Sequence, residues 1–325
     1  MKNEKDSVRQ PKMNTADVLV QKLIDWEVRF IFGIIGDRIN PIVESLRKRQ
    51  KEIQFITVRH EESAAFMASG YAKYTGKLGV CLATSGPGAI HLMTGLYDAY
   101  KDHVPVLAIT GAPVQDLAGT DYIQEIDVSS LMKEVTAYNQ VITGPKQAES
   151  IVDLAIRAAL NQSGVSHLNF AKDTQEIENK DDQPSKKGNE KLKGTQGFNP
   201  GIEVPADEVL EAAAELINSE NKIGILAGCG ALSAREEVRE LAELLGAPVA
   251  KALLGKGVMP DDSPYCTGGI GHLGTIPSKD WMQECGVLLT LGSNMPYLEY
   301  YPKDAKAIQI DHNPKRIGLR YYIYN

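Results

Sequence analysis

The chain has 325 residues, 43% of them hydrophobic, and a formal net charge of -7 at pH 7. That length suggests two domains of ordinary size with real cores, and the acidic balance argues against a nucleic-acid partner, which favours a basic face. Four cysteines, Cys81, Cys229, Cys266 and Cys285, form no C-x-x-C pair, so neither a zinc site nor a disulfide framework is suggested.

The first residues, MKNEKDSVRQPKM, are polar and charged and lack the apolar stretch of a signal peptide. No apolar run has the length of a membrane span, so a cytoplasmic location is the expectation. From Asn14 the pattern alternates between helix and strand. Thr15 can cap a helix that runs to Trp26, with Val18, Leu19, Leu23 and Ile24 on its apolar face. "RFIFGIIGD" reads as a strand ending in a glycine loop, and "INPIVESLRKR" returns to helical spacing. "IQFITV" is a strand. A helix then opens on Glu61 and Glu62 and keeps a line of small residues, Ala64, Ala68 and Ala72. "LGVCLAT" is a strand, "SGPG" a turn, "AIHLMTGLYDAY" a helix and "VPVLAIT" a strand. A helix near Gln147 to Gln162 leads to a closing strand, "SHLNFA". Cys81 and Cys229 fall in apolar strand-like runs, where a thiol acts as a small hydrophobe. Strands that are apolar throughout and separated by helices imply a parallel sheet covered on both faces.

The composition changes at residue 173. Residues 173–204 are charged and poor in large apolar side chains, which reads as a solvated linker. A second α/β unit covers 205–325. "ADEVLEAAAELINS" is an amphipathic helix and "KIGILAG" a strand ending at Gly228-Cys229-Gly230. "REEVRELAELLG" is a helix closed by Gly246. "APVAKAL", "GVLLTLGSN" and "AKAIQIDHNP" are further strands, and "GGIGHLGTIP" is an irregular loop. The fold class is therefore α/β, with two doubly wound parallel-sheet domains, 14–172 and 205–325. Ligands of such sheets lie beyond the carboxyl ends of the strands. That places Gly228, Gly230, Gly292, Asn294 and Asp311 at one rim.

The glycine loops do not read as a nicotinamide site. Gly86-Pro87-Gly88 and Gly228-Cys229-Gly230 both lack the third glycine of G-x-G-x-x-G, and the strand ending near Lys251 offers no acid for a ribose hydroxyl. No Walker A sequence occurs. On residues alone, Glu61 and Glu62 could simply meet the positive end of a helix dipole, and the glycines could simply be turns. No residue is assigned to a metal.

Five stretches carry a family resemblance: "FGIIGDRINPIVESLRK", "VRHEESAAFMASGYAKYTGKLGVCLATSGPGAIHLMTGLYDAYKDHVPVLAITG", "GTDYIQEID", "GGIGHLGT" and "AIQIDHNPKRIG". The chain resembles the thiamine-diphosphate-dependent enzymes of the pyruvate oxidase and acetolactate synthase group, from Asn14 to the C-terminus. The run around His91 is closer to pyruvate oxidases. The resemblance implies that residues 14–172 bind the cofactor's pyrimidine and 205–325 form an FAD-type central domain. It assigns Glu61 to a pyrimidine ring nitrogen, where a carboxyl in a dry site exchanges a proton, and Gln124 to a place beside the reacting carbon. Gly36 and Asp37, with Pro87 and Gly88, are expected against the same cofactor. Gly228, Gly230, Gly271, Gly274, Thr275, Gly292, Asn294 and Asp311 are expected to line FAD. Glu62 has no matching role.

The implied cofactors are thiamine diphosphate and FAD. Magnesium is expected only through a third domain, whose Gly-Asp-Gly and Asn motif does not occur in this sequence. The implied activity is oxidative decarboxylation of pyruvate by a pyruvate oxidase-like flavoenzyme, with the chain inactive alone. Alternatives are acetolactate synthase-type carbon–carbon bond formation, a flavin-free 2-oxo acid decarboxylase and a non-catalytic FAD-binding fragment. The expected partners are a 2-oxo acid and either further copies of the chain or a diphosphate-binding subunit. Two departures stand beside the candidate site: Ile35 where the family has proline, and Ile123 where it has an aromatic residue.

Overall fold

The computed structural model describes residues 13–179, 194, 195, 198 and 204–323. The chain divides into two compact units, Met1–Pro200 and Gly201–Asn325.

In the first unit, α1 (Thr15–Asp25) is capped by Asn14 and not by Thr15. The Asn14 side chain accepts from the Asp17 N–H at 2.8 Å, and the Asp17 carboxylate accepts from the Asn14 N–H at 3.1 Å. These two bonds form a capping box. There follow β1 (Phe30–Gly33), α2 (Asn40–Lys48), β2 (Gln54–Thr57), α3 (Glu61–Thr75), β3 (Gly79–Ala83), α4 (Pro87–Asp102) and β4 (Val106–Ala112). Then come α5 (Val128–Met132), β5 (Thr136–Ile142), α6 (Pro145–Gln162), β6 (Val165–Ala171) and α7 (Lys172–Glu176). The six strands pair in the order β2-β1-β3-β4-β6-β5, and every pairing is parallel. Helices lie against the sheet, so β3 and β6 are buried along their whole length.

The small-residue line of α3 is explained by packing. Ala64, Ala65, Ala68, Ser69 and Ala72 are buried. Gly79 of β3 lies against the Ala68 carbonyl, and Gly95 of α4 lies against Ala65 and the Phe66 N–H, with no room for a side chain at either glycine. The helix therefore approaches both elements at backbone distance.

β5 was not foreseen from the sequence. Its residues, TAYNQVI, are mostly polar, and it stands at the sheet edge with much of its surface partly exposed. What holds it is a buried polar cluster. His167 of β6 is fully buried; its Nδ1 pairs with Asn139 Oδ1 at 2.8 Å and its Nε2 with Thr110 Oγ1 at 2.8 Å. One ring thus ties β4, β6 and β5. Burial pushes its pKa down to about 3.

The expected linker begins later than residue 173. Gln175 is fully buried and donates to the carbonyls of Arg38, at 2.7 Å, and Phe170, at 3.2 Å. Glu178 bridges Asn14. Polar residues pack here because a side-chain amide meets carbonyls that would otherwise be orphaned. Most of the remaining expected linker lies outside the described residues.

The second unit contains α8 (Asp207–Asn218), β7 (Ile223–Ala227), α9 (Arg235–Leu245), β8 (Val249–Lys251), β9 (Cys266–Gly269), α10 (Ile276–Glu284), β10 (Val287–Leu291) and β11 (Lys306–Ile310). Its parallel sheet runs β11-β10-β7-β8-β9. The stretch expected as an irregular loop is partly regular: β9 ends within it and α10 begins within it. β9 is short and glycine-rich, with only four residues, Cys266–Gly269, so it carries little strand signal. Trp281 of α10 fills the space above Gly224 and donates from Nε1 to Thr267 Oγ1 at 2.8 Å.

All four cysteines are free. Cys81 is buried, and desolvation pushes its thiol up to about 12. Cys229, expected as part of a strand, is exposed in the loop after β7. Among the described residues, no helix is long and apolar enough to cross a membrane.

Candidate functional site

The first site is built on Glu61, the first residue of α3, with His60 as its N-cap. The Glu61 side chain is only 13% exposed. Its Oε2 pairs with His91 Nδ1, from the second turn of α4, at 3.0 Å. Its Oε1 faces Gly88, 3.4 Å from where a side chain there would begin. The His60 and His91 rings stack with centroids 4.4 Å apart. Glu62 points outward, with its side chain 41% exposed.

Three loops converge beside Glu61 because glycine lets them. Gly36, after β1, sits against the Thr84 side chain with no space for a Cβ. Gly86, after β3, has φ +60° and lies against the backbone of Gln124. Gly88 faces Thr84 and Glu61. Two hydroxyls at this point, Thr84 Oγ1 and Ser85 Oγ, are buried and lack a hydrogen-bond partner among the described residues. A buried orphan hydroxyl costs about 1–3 kcal/mol, so two together mark a place for a polar ligand. Pro87 is exposed at the first turn of α4.

Gln124 is exposed and itself adopts φ +60°. Its loop is fastened by Glu125, whose carboxylate accepts from the N–H groups of Gly119, at 2.5 Å, and Tyr122, at 3.1 Å. Those backbone bonds, that of Gly119 first, hold the Glu125 carboxyl below its usual range. Arg38 lies 5.1 Å from the centre of the Tyr122 ring. Asp37 is used within the fold: a hydrogen bond from Lys172 Nζ at 2.6 Å holds its carboxyl below the usual range. The structure therefore brings Glu61, Gly36, Gly88 and the backbone of Gln124 together, and places Asp37 in a salt bridge. Ile35 and Ile123 are exposed apolar side chains on the same loops.

The second unit uses its glycines otherwise. Gly228 lies against Gly292 O and Ser293, and the Gly230 N–H donates to Gly292 O at 3.0 Å. These three glycines let the loops after β7 and β10 touch each other. Gly274 packs on Gly269 and Gly271, and Thr275 Oγ1 donates to Thr267 O at 2.5 Å. Gly271 has φ +117° and faces the Tyr297 ring. Asn294 accepts from Arg320 Nε at 3.0 Å. The Asp311 side chain is 1% exposed; its Oδ1 accepts from the Asn313 N–H at 2.9 Å, while its Oδ2 has no partner among the described residues. Ser293 Oγ is also buried and unpartnered. Both residues follow the ends of adjacent strands, β10 and β11.

Sequence reasoning did not single out His60, Thr84, Ser85, His91 or Ser293. His91 sits thirty positions beyond Glu61, and only the helix packing of α3 on α4 brings it near.

A parallel α/β unit with a mostly buried carboxylate and orphan hydroxyls beyond its strand ends has the features of a unit that carries a cofactor. A profile for the thiamine pyrophosphate enzyme N-terminal TPP binding domain matches residues 13–131, and one for the thiamine pyrophosphate enzyme central domain matches 210–324. The chain belongs to the thiamine pyrophosphate enzyme family, named for the molecule also called thiamine diphosphate.

YdaP of Bacillus subtilis strain 168, provisionally named a thiamine pyrophosphate-containing protein, is 39% identical over 308 residues, covering 93% of this chain and 51% of its own. An uncharacterised 42.6 kDa protein of Pseudomonas amyloderamosa is 37% identical over 305 residues, 94% of this chain and 75% of its own. An acetolactate synthase of Mycobacterium leprae strain TN is 33% identical over 321 residues, 96% and 50%. The chain thus spans about half the length of the curated relatives from Bacillus and Mycobacterium.

Proposed function

We propose that this chain supplies the pyrimidine-binding and central domains of a thiamine-diphosphate enzyme acting on 2-oxo acids, with pyruvate as the substrate. The observation that carries this reading is the Glu61 carboxylate, mostly buried and placed among Gly36, Gly88 and two orphan hydroxyls. When bound, thiamine diphosphate supplies a nucleophilic carbon for the keto group of a 2-oxo acid. Glu61 holds and exchanges a proton at a ring nitrogen of the aminopyrimidine. Thr84 and Ser85 offer the hydroxyls that fix the ring, and Pro87 and Gly88 form the surface it lies on. Gln124, exposed on the loop against Gly86, would serve the reacting end of the cofactor. The close packing of α3 on β3 and α4 keeps water from the carboxylate's buried side.

The finer activity is oxidative decarboxylation of pyruvate, with FAD held at the rim of the second sheet. Ser293 Oγ and Asp311 Oδ2 are the polar atoms there that suit a ligand. Gly271, Gly274 and Thr275 shape the neighbouring loop, and Asn294 flanks it. The acetolactate synthase relative favours a second reading, in which the same site joins two 2-oxo acids. Magnesium and the diphosphate are held by residues outside this set. Phe66, Met67 and Ile90 are exposed on the helices that carry Glu61 and His91, an apolar face suited to a second copy.

The test is hydrogen–deuterium exchange at the thiazolium carbon, with the chain combined with a diphosphate-binding domain from a relative. Glu61→Gln is expected to slow exchange on the order of a hundredfold or more, and Glu44→Gln, on the surface of α2, is expected to leave it unchanged. A loss under about tenfold for Glu61→Gln overturns the assignment. Reduction of a dye with pyruvate supports the oxidase reading, whereas acetolactate as product supports the second.

A further inference from the structure

We propose that His60, Glu61 and His91 form a binding site for a divalent ion of the zinc, cobalt or nickel class, and that this ion competes with thiamine diphosphate for the Glu61 carboxylate. The competition rests on the function proposed above; the metal site does not.

One ligand atom from each of the three side chains lies within 4.8 Å of the others. An ion at their centre would replace the hydrogen bond between His91 Nδ1 and Glu61 Oε2. The set is two imidazoles and one carboxylate, which suits first-row transition ions and not magnesium, an ion that prefers oxygen alone. His60 and His91 are about half exposed, so an ion can reach them. Their rings stack with centroids 4.4 Å apart, which keeps the two imidazoles on the same side of Glu61. His60 Nδ1 has the Glu62 carboxylate 3.9 Å away. The same Nδ1 accepts from the Glu62 N–H at 3.3 Å as the cap of α3, a bond that an ion on this nitrogen would replace.

The positive end of α3 opposes a cation, and the carboxylates of Glu61 and Glu62 offset it. The backbone is already fixed: His60 is the cap, Glu61 the first helical residue, and His91 is held by the packing of α4 on α3. A carboxylate that holds a divalent ion is a poorer partner for the pyrimidine proton, so the two ligands oppose one another at Glu61.

The experiment adds cobalt(II) to the full chain at neutral pH and reads visible ligand-field absorption. An absorption band that saturates with one ion per chain is expected. His60→Ala and His91→Ala should each weaken cobalt binding at least tenfold, while His312→Ala, in the second unit, keeps the parent's affinity. Circular dichroism matching the parent establishes that the variants are folded. Absence of a band, or a band that both histidine variants retain, overturns the site. Thiamine diphosphate is then added together with a diphosphate-binding domain from a relative, while its retention is followed by equilibrium dialysis. Loss of the band as the cofactor is retained supports competition; an unchanged band with the cofactor retained overturns it. No retained cofactor at any metal concentration counts against the proposed function and leaves the metal site to the cobalt result alone.

Discussion

Each sheet places glycine loops beyond the carboxyl ends of its inner strands, and the two units use them for different ends. In the first, Gly36, Gly86 and Gly88 bring loops up to Thr84, Gln124 and Glu61, so the glycines frame a carboxylate. In the second, Gly228, Gly230 and Gly292 bring loops against one another, and the unpartnered atoms, Ser293 Oγ and Asp311 Oδ2, stand beside that contact. A glycine at a strand end therefore carries two meanings: close approach to a ligand, or close approach of backbone to backbone. Only the identity of the facing atoms separates them.

Substitution can break this comparison. Gly228→Val drives a branched side chain into Gly292 O and Ser293. It is expected to cost about 3 kcal/mol or more in the second unit, read by urea denaturation. Trp281 reports on that unit and Trp26 on the first, so each is followed with the other replaced by Phe. A midpoint shift worth less than about 1 kcal/mol would mean that the loops are free to part.

The buried polar cluster of the first unit turns on a histidine, whereas that of the second joins Ser278 to Thr267 and Thr275 and holds no titrating ring, and acid should expose that contrast. Folded His167 stays neutral down to about pH 3, whereas its ordinary value is 6.5. Between those values the unfolded chain binds the extra proton. Stability from this ring is therefore fully present above the ordinary value and falls as pH falls, by about 1.4 kcal/mol per pH unit. The Trp26 transition should move with a slope that His167→Gln removes. An equal slope in that variant would assign the acid sensitivity elsewhere.

Gly88→Ala tests the other meaning of glycine. The new methyl would meet Thr84 Cγ2 at 2.8 Å and Glu61 Oε1 at 3.4 Å. Helix propensity offsets part of the crowding, so stability should change by no more than about 1 kcal/mol. Thiamine diphosphate affinity, measured with the diphosphate-binding domain present, should fall about tenfold, or 1.4 kcal/mol. Unchanged affinity would remove Gly88 from the site.

The smallest effects concern helix starts. α1 has a capping box, whereas α8 has Ala206 at its N-cap and no side-chain cap. Asn14→Ala should cost about 1 kcal/mol in the first unit, and Ala206→Asp should add about 0.5 kcal/mol to the second. Thermal unfolding followed at each tryptophan distinguishes the two.

Much of this architecture is legible in the sequence, because buried parallel strands are continuous apolar runs. β3, β4, β7 and β10 read directly as "GVCLA", "VLAITGA", "IGILA" and "VLLTL". β5 is not legible, since its stability comes from partners on β6 and not from its own residues. β9 is not, since its glycines carry no side-chain pattern. Glu61 was found through the R-H-E and S-G-P-G runs, which lie close together in the chain. His91 and the orphan hydroxyls were not, because what distinguishes them is who stands opposite, and that is decided by packing. Asn14 was passed over for its neighbour Thr15; either residue type can cap, and one position decides which side chain reaches the Asp17 N–H.

The strand order β4-β6-β5 has a consequence for biosynthesis. A ribosome releases Thr136–Ile142 before Val165–Ala171, yet β5 pairs only with β6. During the time needed to add the intervening α6, β5 has no neighbour to accept its hydrogen bonds, while β1, β2, β3 and β4 can already assemble. The edge of the sheet therefore cannot close until the later-made strand, β6, is available to pair with both β4 and β5. Until then β5 is an unpaired strand, the kind of segment that misassociates between chains.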